Sequence, residues 1–159
     1  MQLNRLLKYL IITVGFFTIQ NSHAQLEKHS FESLDSLQTI EERPVVVFFH
    51  TDWCKFCLAM ENTVLTSDSV ITELNNHFYF ISFDAEENEP VTYHNKTFLF
   101  ESNGVNSGTH QIATHYASEN GSVSFPAIVA LWKGKSIFQR NSFMDEDELL
   151  SLLKRILSL

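Results

Sequence analysis

A chain of 159 residues with 44% apolar and 19% charged residues has the composition of one globular domain and excludes a disordered segment. The net charge of −8, with no Lys/Arg cluster, argues against nucleic acid or an anionic lipid surface as a partner. Cys54 and Cys57 are the only cysteines and lie too close together to staple distant segments, which excludes a structural disulfide framework.

Residues 1–24 read as a secretory signal peptide. Arg5 and Lys8 make a basic start, Tyr9 to Ile19 is apolar, and Ser22-His23-Ala24 puts small residues at the cleavage positions. The apolar run is shorter than the roughly 20 residues of a membrane span. Cleavage after Ala24 is therefore expected, rather than an uncleaved anchor. That leaves a periplasmic or otherwise exported domain over residues 25–159 with no stable membrane insertion. Losing Arg5 and Lys8 from the 11 basic residues leaves 9 against 19 acidic ones, a net of −10.

Along the remaining chain, Phe31, Leu34, Leu37 and Ile40 recur at three-residue spacing and predict a helix to Glu42, stopped by Pro44. Val45 to Phe49 is a continuous β-branched and aromatic run, suited to a strand buried on both faces. A helix is predicted from the cysteine pair through Leu65, and a second short one through Val70, Ile71 and Leu74, capped by Ser67 or Asp68. Phe78 to Asp84 reads as a strand. Residues 85 to about 107 are polar, with a short hairpin expected around Phe98–Phe100. His110 to Ala117 reads as a helix.

Val123 to Trp132 reads as a strand interrupted by Pro126, followed by a turn at Lys133-Gly134-Lys135 and a return strand to Arg140. The last helix is the best marked. Asp145 and Glu148 have capping-box spacing, and Leu149, Leu150, Leu152, Leu153, Ile156 and Leu157 supply a buried face. This order predicts an α/β fold with a mixed central sheet and helices on both faces.

The chemistry concentrates at Trp53-Cys54-Lys55-Phe56-Cys57. At the start of a helix, free backbone N–H groups and the positive dipole end favour a thiolate at the first cysteine. Cys54 is thus the expected attacking thiol, and Cys57, one turn inward, the resolving one. A metal site is the competing reading: copper(I) on Cys54, Cys57 and Met60 with His50 nearby, or zinc. Zinc usually takes four ligands; there is no second C-x-x-C, and His110 and His115 are a pair formally within ligand spacing but with no reason to meet Cys54.

The stretch Phe49-His50-Thr51-Asp52-Trp53-Cys54-Lys55-Phe56-Cys57, with Ser124-Phe125-Pro126-Ala127-Ile128-Val129 far downstream, resembles the thioredoxin superfamily. Met60, Glu61 and Ser67-Asp68-Ser69-Val70 make it similar to the branch that includes the C-terminal domain of the thiol:disulfide interchange protein DsbD. The resemblance implies a thioredoxin-like three-layer fold, no small-molecule cofactor, and protein thiols or disulfides as partners, among them a membrane or soluble redox partner. It also implies a cis bond before Pro126, with Phe125 presenting its backbone to a substrate segment and Trp53 beside the dithiol.

Many members carry a buried Asp six residues before the first cysteine as a proton relay, where this chain has Phe48. Glu61, four residues after Cys57, is the expected replacement, ahead of His50 and Asp52. Lys55-Phe56 matches neither the Gly-Pro of reducing members nor the Pro-His of strong oxidants, and the DsbD-like flavour tilts the expectation toward a reductant.

Overall fold

In the computed structural model, residues 24–105 and 107–159 are described; the expected signal peptide falls on 1–23, outside them, apart from its last residue, Ala24. The centre is strand β1 (Val45–His50), flanked by β2 (Tyr79–Asp84) in parallel and by β7 (Ala127–Trp132) antiparallel. Strand β8 (Lys135–Arg140) follows β7, giving the order β2-β1-β7-β8. Consecutive side chains of a strand point to opposite faces. Val45, Val47 and Phe49 therefore enter one core with Tyr79, Ile81, Val129 and Leu131. Val46 and Phe48 enter the other with Phe80, Ile128 and Ala130. A strand buried on both sides needs no polar alternation, which is why the run at Val45–Phe49 is uninterrupted.

Helices close both faces. Helix α1 (Phe31–Ile40) and helix α4 (Gln111–Ala117) cover the first core through Phe31, Leu34, Ile112 and Tyr116. Helix α2 (Lys55–Thr63), helix α3 (Asp68–His77) and helix α5 (Glu146–Ile156) cover the second through Cys57, Met60, Leu74, Leu149 and Leu153. The result is the expected three-layer α/β architecture. None of the described helices is long and apolar enough to cross a membrane.

Helix α5 begins with the expected capping box: the Glu148 N–H donates to Asp145 Oδ1 at 2.9 Å, and the Asp145 N–H donates to Glu148 Oε2 at 3.2 Å. Its buried face is narrower than predicted, because Leu150 is only half-buried and Leu157 is exposed beyond the last turn. Ser67 stands at the cap of α3, yet its hydroxyl bonds the Glu146 carboxylate of α5 and does not cap the helix. The chain reverses after β7 on Lys133 and Gly134 alone, both with positive φ (51° and 74°), as a tight two-residue hairpin requires.

The segment between β2 and α4 differs most from expectation. It forms two hairpins rather than one: β3 (Val91–Tyr93) with β4 (Lys96–Phe98), and β5 (Phe100–Gly104) with β6 (Ser107–His110). The first turns on His94 and Asn95, again with positive φ (49° and 59°), and buries Tyr93 against Phe31. His110 ends β6 and caps α4, its Nδ1 accepting from the Ile112 N–H at 3.2 Å. The predicted strand from Val123 starts only at Ala127, where pairing with Phe49 begins.

Candidate active site

The two parallel strands β1 and β2 end on the same side of the sheet, the usual position of a site in an α/β fold. After His50, the chain turns so that the Cys54 N–H donates to the Thr51 carbonyl at 3.1 Å. Cys54 then caps α2. Its Sγ accepts the Cys57 N–H at 3.1 Å, and its carbonyl accepts the first helical bond from Leu58. Cys54 and Cys57 are joined in a disulfide, with their Cα atoms 5.2 Å apart. Cys54 is 6% exposed and Cys57 1%, so the cysteine at the helix start is the more accessible one.

Of the other predicted residues, Phe125 packs against the core that holds both cysteines, and Trp53 meets the Phe125 ring. The Phe125–Pro126 peptide is cis. Pro126 is buried, and Phe125 is half-buried against both cores, including the one that holds the cysteines. Trp53 lies on the surface, 66% exposed, with its indole edge-on to the Phe125 ring at 6.3 Å between centroids. An indole left this open, beside an apolar ring, offers flat contact area to a partner.

The remaining prediction, Glu61, stands four residues after Cys57 on α2. It is half-buried and lines a groove of about 240 Å³ with Gln25, Leu26, Lys28, Leu65 and Thr66, and that lining includes none of Trp53, Cys54, Phe125 or Pro126. Phe48 is fully buried in the core that holds the cysteines, so no carboxylate occupies that position. His50 stacks on Phe48 at 5.3 Å, and Asp52 is exposed.

Both cysteines of the metal reading are tied in the disulfide. Among the described residues, no three His, Cys, Asp or Glu side chains are grouped to hold an ion. His110 and His115, the formal zinc pair, are engaged separately. His110 is buried between the Ile112 N–H and the Glu89 carbonyl, whereas the more exposed His115 lies against Phe98.

Two functional neighbours escaped the sequence reading. Glu86, just past β2, accepts the Trp53 Nε1–H at 3.1 Å and so anchors the exposed indole. Its signal was available in the acidic run Asp84–Glu89 directly after a strand parallel to β1. Thr51 is 2% exposed, and its hydroxyl has no hydrogen-bond partner among the described residues.

Residues 32–157 match a family model described as a thioredoxin-like domain. The chain belongs to this family. No match was found among curated protein sequences. Among solved structures, this thioredoxin-like chain is similar to DsbH oxidoreductase, at 20% identity and a TM-score of 0.61, covering 89% of this chain and 91% of that one. It is similar also to a thioredoxin from Thermus thermophilus, at 18% identity, a TM-score of 0.59, and coverage of 84% and 88%. A disulphide isomerase from Xylella fastidiosa Temecula1 shares 14% identity at a TM-score of 0.52, with coverage of 89% and 98%. At these identities the likeness is one of fold. A thioredoxin-like domain whose C-x-x-C pair forms a disulfide at a helix start supports thiol–disulfide oxidoreductase chemistry on protein thiols and disulfides.

Proposed function

We propose that this protein is an exported thiol–disulfide oxidoreductase that works as a reductant of partner proteins. The observation that carries the reading is the Cys54–Cys57 disulfide, with its more exposed cysteine at the start of α2; the cis Phe125–Pro126 peptide, whose Phe125 side chain packs against the core holding both cysteines, supports it.

In the reduced protein, the Cys54 thiolate attacks one sulfur of a partner disulfide. The partner S–S bond breaks, a mixed disulfide forms, and the departing partner sulfur takes up a proton. The Cys57 thiolate then attacks Cys54 Sγ, releasing the second partner sulfur as a thiol and closing the Cys54–Cys57 disulfide. Two electrons have moved to the partner, and an upstream dithiol must return them. The N–H groups of the first turn of α2 favour the Cys54 thiolate. The backbone beside Pro126 offers an extended substrate segment its pairing edge, and Trp53 offers it an apolar flank. Glu61, as the nearest carboxylate C-terminal to Cys57 on α2, is the proposed proton relay.

The direction of electron flow rests on the local likeness to the DsbD branch, and export on the first 24 residues. Insulin reduction coupled to dithiothreitol tests the activity, which should vanish in Cys54→Ser. The equilibrium potential against glutathione tests direction: a value near about −270 mV fits a reductant, and one near about −120 mV overturns that part. N-terminal sequencing of the secreted protein tests export, with Gln25 expected as the first residue. Glu61→Gln should shift the pH profile of Cys54 alkylation, and an unchanged profile removes Glu61 from the relay.

A further inference from the structure

The hairpin β5–β6 has no role in the exchange steps above, yet it stands beside them. Its strands pair only with each other among the described residues. Nearly every side chain of β5 is exposed, and Val105, just past its end, is 94% exposed. An unsupported hairpin of this kind is marginal by itself. Here its base is held: the His110 N–H donates to the Ala85 carbonyl at 2.7 Å, and the Gln111 N–H donates to the Leu99 carbonyl at 2.8 Å.

Each face of the hairpin walls a groove. The pair Glu101↔Thr109 lines one of about 710 Å³ with Thr114, Gly121 and Val123. Phe100, Ser102 and Gly108 line another of about 500 Å³ with Glu86 and Asn88. The second groove reaches the neighbourhood of the dithiol through Glu86, and the first reaches the chain that leads into Phe125. Glu86 is the residue that holds Trp53, and Val123 lies two positions before Phe125. The linings are mostly polar and present hydroxyl, amide and carboxylate groups rather than an apolar slot.

Charge selects the occupant. From Asp84 to His110, the segment that carries the hairpin, the chain has five acidic residues, Asp84, Glu86, Glu87, Glu89 and Glu101, against a single base, Lys96. Glu87 and Glu89 are exposed on either side of Asn88, and Glu101 is exposed on the hairpin itself. A field of one sign along a groove raises the local concentration of the opposite charge and the rate of productive encounter.

We propose that the β5–β6 hairpin is a recognition wall, and that its occupant is an extended partner segment bearing Lys or Arg beside its disulfide. This rests on the oxidoreductase reading. The test uses the full-length mature protein in its reduced form and three substrates: two disulfide peptides differing only in Lys/Arg against Ser/Thr flanks, and a small uncharged disulfide. The reduction rate of the basic peptide should exceed that of the neutral one by about tenfold at low salt, a gap that shrinks as salt rises.

In the triple variant Glu87→Gln, Glu89→Gln, Glu101→Gln, that preference should collapse several-fold, while the small disulfide reacts as in the wild type. Glu101→Gln leaves a side-chain oxygen to accept the Gln111 Nε2–H bond, so the hairpin keeps that contact. Equal rates for the two peptides, or a preference that the triple variant retains, overturns the recognition proposal alone. Inactivity toward the small disulfide overturns the oxidoreductase reading and this proposal with it.

Discussion

The indole nitrogen of Trp53 donates to a carboxylate oxygen of Glu86 at 3.1 Å, tying together the chain ends that leave two adjacent parallel strands. The bond fixes a ring that also meets Phe125 edge-on. Glu86→Ala frees that ring, and about 1 kcal/mol of positioning energy corresponds to a roughly fivefold slower reduction of a protein disulfide. Glu86→Gln retains an acceptor and should lie closer to the wild type. Stopped-flow rates on a reduced-protein single turnover measure both; identical rates for Glu86→Ala and wild type would sink the idea that the ring needs its anchor.

His110 predicts acid sensitivity. Its ring is buried, with Nδ1 accepting from the Ile112 N–H, so Nε2 carries the hydrogen and donates to the Glu89 carbonyl at 3.2 Å. Burial holds its pKa below the ordinary 6.5, although the Glu89 carbonyl and the Glu87 and Glu32 carboxylates pull the other way. The unfolded chain therefore binds the proton first as pH falls below about 6.5, and stability declines from there until the folded pKa is passed. His115, lowered by burial and then by Lys96, adds a smaller effect of the same sign from a more exposed position. His110→Asn keeps an acceptor near Nδ1 but cannot titrate. Its melting temperature should be less dependent on pH between about 5 and 7 than that of the wild type.

Thr51 predicts a stabilising substitution. Its hydroxyl is buried without a partner among the described residues, a state that costs about 1 kcal/mol or more. Thr51→Val removes the hydroxyl at constant shape and should raise the urea midpoint with the slope unchanged. Thr51→Ser keeps the orphan hydroxyl and loses a methyl, which should lower the midpoint by a similar amount. Shifts of the same sign in both variants would contradict this account.

What could be read from the chain follows from how local each interaction is. The run Val45–Phe49 announced a strand buried on both faces because every side chain there meets a core. The Asp145–Glu148 box was legible because its two bonds span three residues. The dithiol was legible for the same reason. By contrast, Glu86 meets Trp53 across 33 positions, and the Ser67 hydroxyl reaches Glu146 across 79, so local spacing announces neither. The two hairpins hid for another reason. One turns on His94-Asn95 without a glycine, and the first strand of the other, β5, is exposed almost throughout, leaving no alternation to detect there. Glu61 was placed by its spacing from Cys57 and by the DsbD-like resemblance, and neither says anything of the Gln25–Lys28 segment that lines the same groove.

Gly108 offers a way to perturb the hairpin without touching the dithiol. A Cβ built on it would run into the Phe100 ring and the Glu101 carbonyl, both on the paired strand β5. The carbonyl is backbone and cannot swing aside, so Gly108→Ala must displace β5 from β6. The core is untouched: Phe100 is only half-buried, and the sheet order β2-β1-β7-β8 does not include either strand. Gly108→Ala should therefore melt within a few degrees of the wild type and reduce a small uncharged disulfide at the same rate. Its reduction of a basic disulfide peptide should fall several-fold, toward that of the neutral peptide. Matching losses on both substrates would place the effect at the dithiol, and an unchanged preference would show that the hairpin is only a bystander to the exchange.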